Sequence, residues 1–324
     1  MSADLSGIKI PIKEHLKTFH DHFSKSMKSS VPLLDRITYY IVQRKGKQIR
    51  PIFVFLSAGL VGNISKRTHT AASLIEILHT ATLVHDDVVD GSEMRRGFFS
   101  INALWKNKIA VLVGDYMFMR GFLLAMKEKE YVLLELVSDA VEKMSVGELL
   151  QIEKARKLDI TEDIYFDIIR QKTASLISAA CAVGAASATS DERVINDLKM
   201  LGEYAGIAYQ IKDDLFDYGS NNIGKPRGID IKEKKMTLPL IHAFTKCEKS
   251  EKREIINAIK NRSDKKETVK KVISFVHKYE GLSYAANKME EYKSKAFGIL
   301  ENYEPSSYKS SMTDLIEFIL SREK

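Results

Sequence analysis

Apolar residues recur at the helical period through five long stretches of this chain, 72–84, 109–126, 131–151, 164–186 and 194–216. No stretch alternates apolar and polar residues as a half-buried strand does. A chain patterned this way hides its apolar stripes only by packing helix on helix. The punctuation agrees, because 17 Gly and 6 Pro in 324 residues are too few to turn the many short strands of a sandwich or barrel. No solenoid-period repeat and no compositional shift divides the chain, so residues 1–324 read as a single all-α domain, one large helical bundle. The segment 179–188 is rich in Ala, Gly and Ser, which on a helix permits close approach of a neighbour. The segment 247–271 is dense in charge without interleaved aromatics. It reads as a solvated peripheral helix pair and not as a surface that stacks nucleic-acid bases.

Lys and Arg number 50 against 43 Asp and Glu, a formal charge of +7. That balance suits an anionic partner, although the same charge spread over so long a chain also serves solubility alone. Two cysteines cannot build a disulfide framework, and a reducing, cytoplasmic location is expected. No apolar run reaches the ~18 residues of a membrane span, and the N-terminus lacks the pattern of a signal peptide.

Two acidic clusters carry the chemistry. His85-Asp86-Asp87-Val88-Val89-Asp90 ends one strongly apolar helical stretch, and Lys212-Asp213-Asp214-Leu215-Phe216-Asp217 ends another. Residues i and i+4 share a helix face about 6 Å apart along the axis, which pairs Asp86 with Asp90 and Asp213 with Asp217. Like charges so placed repel, and a helix C-terminus adds to the cost, so each cluster favours a cation between its carboxylates. Oxygen-only ligands select a hard ion such as Mg²⁺. Taken alone, either cluster is more often a solvated helix end; two on separate helices are able to converge on one cavity. There is no Glu-x-x-His pair for a di-iron centre, and His79 and His85 have the wrong spacing for a zinc site. Basic residues bracket the clusters: Lys47 and Arg50 before the first, Arg95 and Arg96 after it, Lys225, Lys234 and Lys235 after the second. Carboxylates, Mg²⁺ and Lys or Arg together make a receptor for a diphosphate.

With these residues assembled, the sequence resembles the trans-type polyprenyl diphosphate synthases, most of all their long-chain members. LVHDDVVDGSEMRRG is similar to the family's first aspartate-rich motif and YQIKDDLFDYG to the second. GKQIRP, GELLQ, KTA and GKPRGIDIKEKKMTLP resemble the remaining signatures, in family order. The resemblance implies an all-α isoprenoid-synthase bundle around a central cavity, and a transferase that condenses an allylic diphosphate with successive isopentenyl diphosphates. It implies about three Mg²⁺ per site, held by Asp86 and Asp90 on one side and Asp213 with Asp217 on the other. Asp87, Asp214 and Asp217 would support them through hydrogen bonds or waters. Lys47, Arg50, His79 and Arg96 would bind isopentenyl diphosphate. Arg95, Lys172, Thr173, Gln210, Lys225 and Lys235 would hold the allylic diphosphate. The released diphosphate would take up the proton.

Ala81 and Thr82, one turn before Asp86, would line the tunnel mouth. Both are small, where short-chain members carry Phe or Tyr, so the product is expected to be long, roughly six to nine isoprene units by that resemblance, of the kind used as quinone side chains. Met117, Phe118, Leu134 and Val137 are candidates for the tunnel floor. The resemblance also implies a homodimer, with membrane contact at most peripheral and no nucleic-acid partner. One departure stands out: Lys234 occupies a position where the family usually has Gly, which brings the local backbone into question. Competing readings are a short-chain synthase, a subunit of a heteromeric synthase, and a terpene cyclase. The last would lack the Lys47–Arg50 set, and a non-catalytic subunit should have lost aspartates that this chain keeps.

Overall fold

A computed structural model describes residues 5–44, 46–95, 97–218 and 228–321. The chain opens with the short α1 (Leu5–Ile8) and a 3₁₀ turn (Ile10–Ile12), then α2 (Lys13–Ser26), α3 (Pro32–Gln43), α4 (Ile49–Val61) and α5 (Lys66–Val89). A two-residue hairpin, β1 (Met94–Arg95) and β2 (Phe98–Phe99), precedes α6 (Ile101–Lys127), α7 (Tyr131–Lys157) and α8 (Glu162–Ile169). A π-helical turn (Arg170–Ala174) leads into α9 (Ser175–Ala186) and α10 (Glu192–Phe216). The short α11 (Ile229–Lys232) is followed by α12 (Leu238–Lys246), α13 (Lys249–Arg262), α14 (Lys266–Lys278), α15 (Gly281–Glu301) and α16 (Ser307–Ser321). The all-α reading holds. The hairpin, two residues per strand, is too short for alternation to reveal in sequence.

The segment read as one helix over 164–186 is three pieces. The π turn inserts an extra residue between α8 and α9, and that register shift is where Lys172 and Thr173 sit. Every residue of α9 is buried. Its small residues let neighbouring backbones approach: a Cβ on Gly184 would stand 2.4 Å from the Val54 carbonyl oxygen of α4. Likewise a Cβ on Gly202 of α10 would stand 2.7 Å from the Ile177 carbonyl oxygen. Packing of this tightness fixes α4, α9 and α10 as a stiff centre.

A large apolar cluster gathers α4, α5, α6, α7, α9 and α16, and a second gathers α8, α12, α13, α14 and α15. Helix α10 serves both, with Leu198 and Leu201 in the first cluster and Ile207 and Ile211 in the second. Helices α13 and α14 form the charged peripheral pair expected from 247–271; α13 buries only Ile255 and Ile259, whereas α14 buries a stripe that includes Val272, Phe275 and Val276. One sequence expectation needs correction. Among the described residues, Ile101–Lys127 is long and apolar enough by length and composition to cross a membrane. Asp115 and Arg120 interrupt its apolar run, which is why no uninterrupted stretch appeared in the sequence. One face of α6, with Met117 and Ala125, is buried. Its opposite face leaves Leu112 and Leu123 about half exposed, at 55% and 50%.

Helix α5 begins on a capping box of Ser65 and Thr68 and ends where Gly91 turns left-handed at φ +61°. Helix α11 ends on the same pattern of bonds, without a glycine. The Lys234 amide donates to the Ile231 carbonyl and the Lys235 amide to the Asp230 carbonyl, at 3.1 and 2.8 Å. This Schellman closure requires a left-handed residue, and Lys234 takes it at φ +59°. That explains the usual Gly at this position. The charge of Lys235 is still delivered beside Asp230, at 3.6 Å. Lys234→Gly should therefore stabilise the fold by roughly 0.5–1 kcal/mol in chemical denaturation. Lys234→Ala, which keeps the strain and loses only the Nζ bond to the Lys260 carbonyl, should not.

Candidate active site

Two cavities gather residues that the sequence singles out, and the C-terminal half of α5 lines the first of them. The first, about 110 Å³, is lined by His20, Gly46, Gln48, His79, Asp87 and Arg95 among others. The second, about 240 Å³, is lined by Gln151, Tyr165, Lys172, Thr173, Gln210, Asp213, Asp214, Asp230, Lys235 and Thr237 among others.

In the first cavity His79 is buried, and its Nε2 meets Arg50 Nη1 at 2.9 Å. Arg95, carried on β1, donates from Nε to Asp87 Oδ1 at 2.6 Å. Asp87 is 3% exposed, and burial pushes its carboxyl up while Arg95 pulls it back down. Lys47 is exposed, with its ammonium 5.4 Å from the Phe318 ring centroid. The sequence reading grouped Arg95 with the allylic set. The structure places it at the wall of this first cavity, bonded to Asp87, although its charge also acts on Asp86. Arg96 and Lys225 lie outside the described residues.

The second cavity brings residues of the two acidic clusters into one field. Asp86 is pushed up to about 6 by burial first and by Glu148 next, against the pull of Lys172 and Arg95. Lys172 pairs with Glu148 at 2.5 Å and donates to Gln151 Oε1 at 3.3 Å. On the far side Asp213 is exposed. Asp214 is buried, pushed up to about 7 by burial, and it accepts from Tyr165 and Gln210. Lys235 pairs with Glu233 at 2.6 Å and with Asp230 at 3.6 Å. Its pKa rises to about 12: burial lowers it, and Glu233, Asp230 and Asp90 outweigh that by raising it. Lys235 thus feels carboxylates from both clusters. Tyr165, Glu148 and Asp230 were not singled out by sequence reasoning. Asp230 was legible in principle, five residues before Lys235 in GIDIKEKK. Tyr165 had no signal, since its neighbours make it look like core.

Among the described residues, no three His, Cys, Asp or Glu groups form a ready-made metal cage. Asp213 lines the second cavity, and Asp86 and Asp90 at the end of α5 couple to its Lys172 and Lys235 electrostatically. One oxygen of Asp217 accepts the Ile229 amide at 2.8 Å, and the other is buried with no hydrogen-bond partner. A buried, unpaired carboxylate oxygen beside further carboxylates fits a hard cation. Mg²⁺ in particular takes only one or two carboxylates and completes its shell with water and phosphate oxygens. The donor set therefore fits metal arriving together with a phosphorylated ligand.

Comparison with known proteins agrees with this geometry. The Polyprenyl synthetase family model matches residues 31–276. This chain belongs to the polyprenyl synthetase family. It is a prenyltransferase. The octaprenyl diphosphate synthase of Haemophilus influenzae is 35% identical over 298 residues, covering 91% of this chain and 90% of that protein. Among solved structures, a decaprenyl diphosphate synthase from Rhodobacter capsulatus superposes with TM-score 0.92 at 32% identity, covering 99% of this chain and 100% of the other. A polyprenyl synthase from Caulobacter crescentus, complexed with calcium and isoprenyl diphosphate, superposes with TM-score 0.90 at 29% identity, covering 100% and 99%. The synthase fold expected from the resemblance is thereby confirmed.

The raised carboxylates have a measurable sign. Asp86 and Asp230 stand at about 6 when folded, against an ordinary 3.8. The folded chain therefore holds more protons than the unfolded one between about pH 4 and 6. Their contribution to stability is present below the ordinary carboxylate pKa and lost as pH rises through 6. In a chelator, the melting temperature should rise between pH 7.5 and 5.5, and Asp230→Asn should flatten that rise.

Proposed function

We propose that this chain, acting in the cytoplasm as a homodimer, condenses an allylic diphosphate with successive isopentenyl diphosphates to build a long all-trans polyprenyl diphosphate. The observation that carries this reading is a pair of charge-lined cavities, the first against the acidic end of α5 and the second against the acidic end of α10. One is basic and histidine-lined; the other is ringed by carboxylates with Lys172 and Lys235.

Isopentenyl diphosphate fits the first cavity, which His79 lines with Arg50 bonded to it, and by resemblance Lys47, Arg50, His79 and Arg96 bind its phosphates. The allylic diphosphate fits the second, with Lys172 and Lys235 on its oxygens and Asp86, Asp90, Asp213 and Asp217 turned toward the same space. Bound Mg²⁺, of which three fit the family pattern, supplies positive charge that draws electrons toward the leaving diphosphate. Lys172 and Lys235 add fixed charge to the same oxygens, so the allylic C–O bond ionises in a site already arranged for the charge that develops. Thr173 and Gln210 turn oxygen atoms toward that region, which favours a cation. Apolar faces exclude water that would quench it. None of the site carboxylates is an obvious base, and the family resemblance assigns the proton to the departing diphosphate.

Ala81 is fully buried and small. The Thr82 hydroxyl bonds back to the His79 carbonyl at 2.8 Å, so neither side chain projects a large ring below Asp86. Met117 and Val137 are fully buried further along, with Phe118 and Leu134 packed against the same cluster. This supports a long product and leaves the floor to be assigned among the four. The homodimer is supported by an apolar face across α6 and α7, where Leu112, Leu123, Tyr131 and Leu149 stand 55%, 50%, 58% and 68% exposed. That face also accounts for the membrane-like composition of α6 without a membrane. Sedimentation should return the mass of two chains.

The deciding experiment incubates the purified chain with Mg²⁺, farnesyl diphosphate and labelled isopentenyl diphosphate and sizes the dephosphorylated products. One long product is expected, Ala81→Phe should shorten it, and Asp86→Asn or Asp213→Asn should lower kcat by at least about a hundredfold. A product that stops near fifteen or twenty carbons would keep the enzyme class and sink the long-chain reading. Absence of turnover would point to a subunit that needs a catalytic partner.

A further inference from the structure

Four side chains lining the second cavity form one continuous hydrogen-bonded chain. The Tyr165 phenol on α8 donates to Asp214 Oδ2 at 2.6 Å. The other oxygen of Asp214, Oδ1, accepts from Gln210 Nε2 at 3.0 Å, one turn back on α10. Gln210 Oε1 in turn accepts from the Thr173 hydroxyl at 2.8 Å, on the π turn. With Asp214 ionised, the order of donors follows. A carboxylate only accepts, so the Gln210 amide must present its NH₂ to Asp214 and its carbonyl to the opposite side. The Thr173 proton is then committed to that carbonyl, and the lone pairs of both Thr173 and Gln210 remain for the cavity. Both residues line the cavity in which the reaction proposed above develops a carbocation, so their oxygen lone pairs are available to it.

The geometry points to Tyr165 as a positioning residue that locks the Asp214 carboxylate and, through it, the orientation of the Gln210 amide and the Thr173 hydroxyl. This rests on the prenyltransfer reading of the same cavity. Tyr165 is 4% exposed and sits edge-on to Phe166, so its ring is held by packing and its phenol has little freedom to leave Asp214. The remaining contact on Asp214 Oδ2 is the Leu238 amide at 3.5 Å, too long to hold the carboxylate alone. Without the phenol the carboxylate turns, the Gln210 amide is released to flip, and its NH₂ then points a positive dipole at the developing cation. The loss falls on the transition state and not on diphosphate binding, which Lys172 and Lys235 carry.

The test is Tyr165→Phe, which removes one oxygen and keeps the ring. In parallel, wild type, Gln210→Leu, the double variant and Asp214→Asn are compared under saturating Mg²⁺. Expected for Tyr165→Phe is a kcat lowered roughly tenfold to a hundredfold, with KM for both diphosphates within about twofold. The double variant should lose no more than Gln210→Leu alone, as groups acting through one chain do. Asp214→Asn breaks the same chain at its centre and should show the same split between kcat and KM. A wild-type kcat in Tyr165→Phe, or losses that multiply in the double variant, overturns the proposal. So does a Tyr165→Phe chain that fails to fold while Asp214→Asn retains wild-type kcat, since the phenol is then only a core contact. A wild-type chain that turns over no substrate overturns the prenyltransfer reading itself, and this inference with it.

Discussion

Everything in this molecule is arranged around an electrostatic debt: carboxylates of like sign held close together, partly out of water, at the ends of two apolar helices. Asp86, Asp214 and Asp230 are each pushed upward, and burial is the first cause in every case. Isolated chains relieve such crowding by turning the side chains outward. Here the helices cannot rotate, because α5 is buried along most of its length and α10 is shared by both apolar clusters. Rigid packing elsewhere is what keeps the carboxylates crowded, and crowded carboxylates are what give the site its appetite for cations.

The stiffness has a specific source. Helix α9 presents small residues on all sides, and Gly184 and Gly202 let α4 and α10 approach to backbone contact. Large side chains at those contacts would hold the helices apart and loosen the angle between α5 and α10. The π turn before α9 matters for the opposite reason. It breaks helical register for one turn at Lys172 and Thr173, and both of these residues line the second cavity.

Much of this was legible in the sequence, for physical reasons that differ from element to element. The long helices were visible because each hides one stripe and so repeats at the helical period. The aspartate clusters were visible because carboxylates at the end of an apolar helix are costly enough to need a purpose. Lys234 was visible as an oddity, and its left-handed turn supplies the reason. Tyr165 was not visible: a buried Tyr between Ile164 and Phe166 looks like packing until the carboxylate it meets, 49 residues away, is in view. The position of Arg95 was hidden as well, because it depends on a hairpin too short to leave a pattern. The half-exposed apolar face of α6 was hidden by its buried one, since both contribute to the same periodic signal.

The end of α5 also couples two regions. Asp87 lines the histidine-lined cavity, whereas its neighbour Asp86 is coupled to Glu148 and to Lys172, which lines the other cavity. Arg95 touches Asp87 and reaches Asp86 electrostatically, so one guanidinium sits in both fields. Charged residues one position apart transmit potential even when nothing moves. Filling one cavity with an anion must then alter the affinity of the other, and by the same factor in reverse. Two anions bound in these cavities would in that sense be neighbours within one field and not independent visitors.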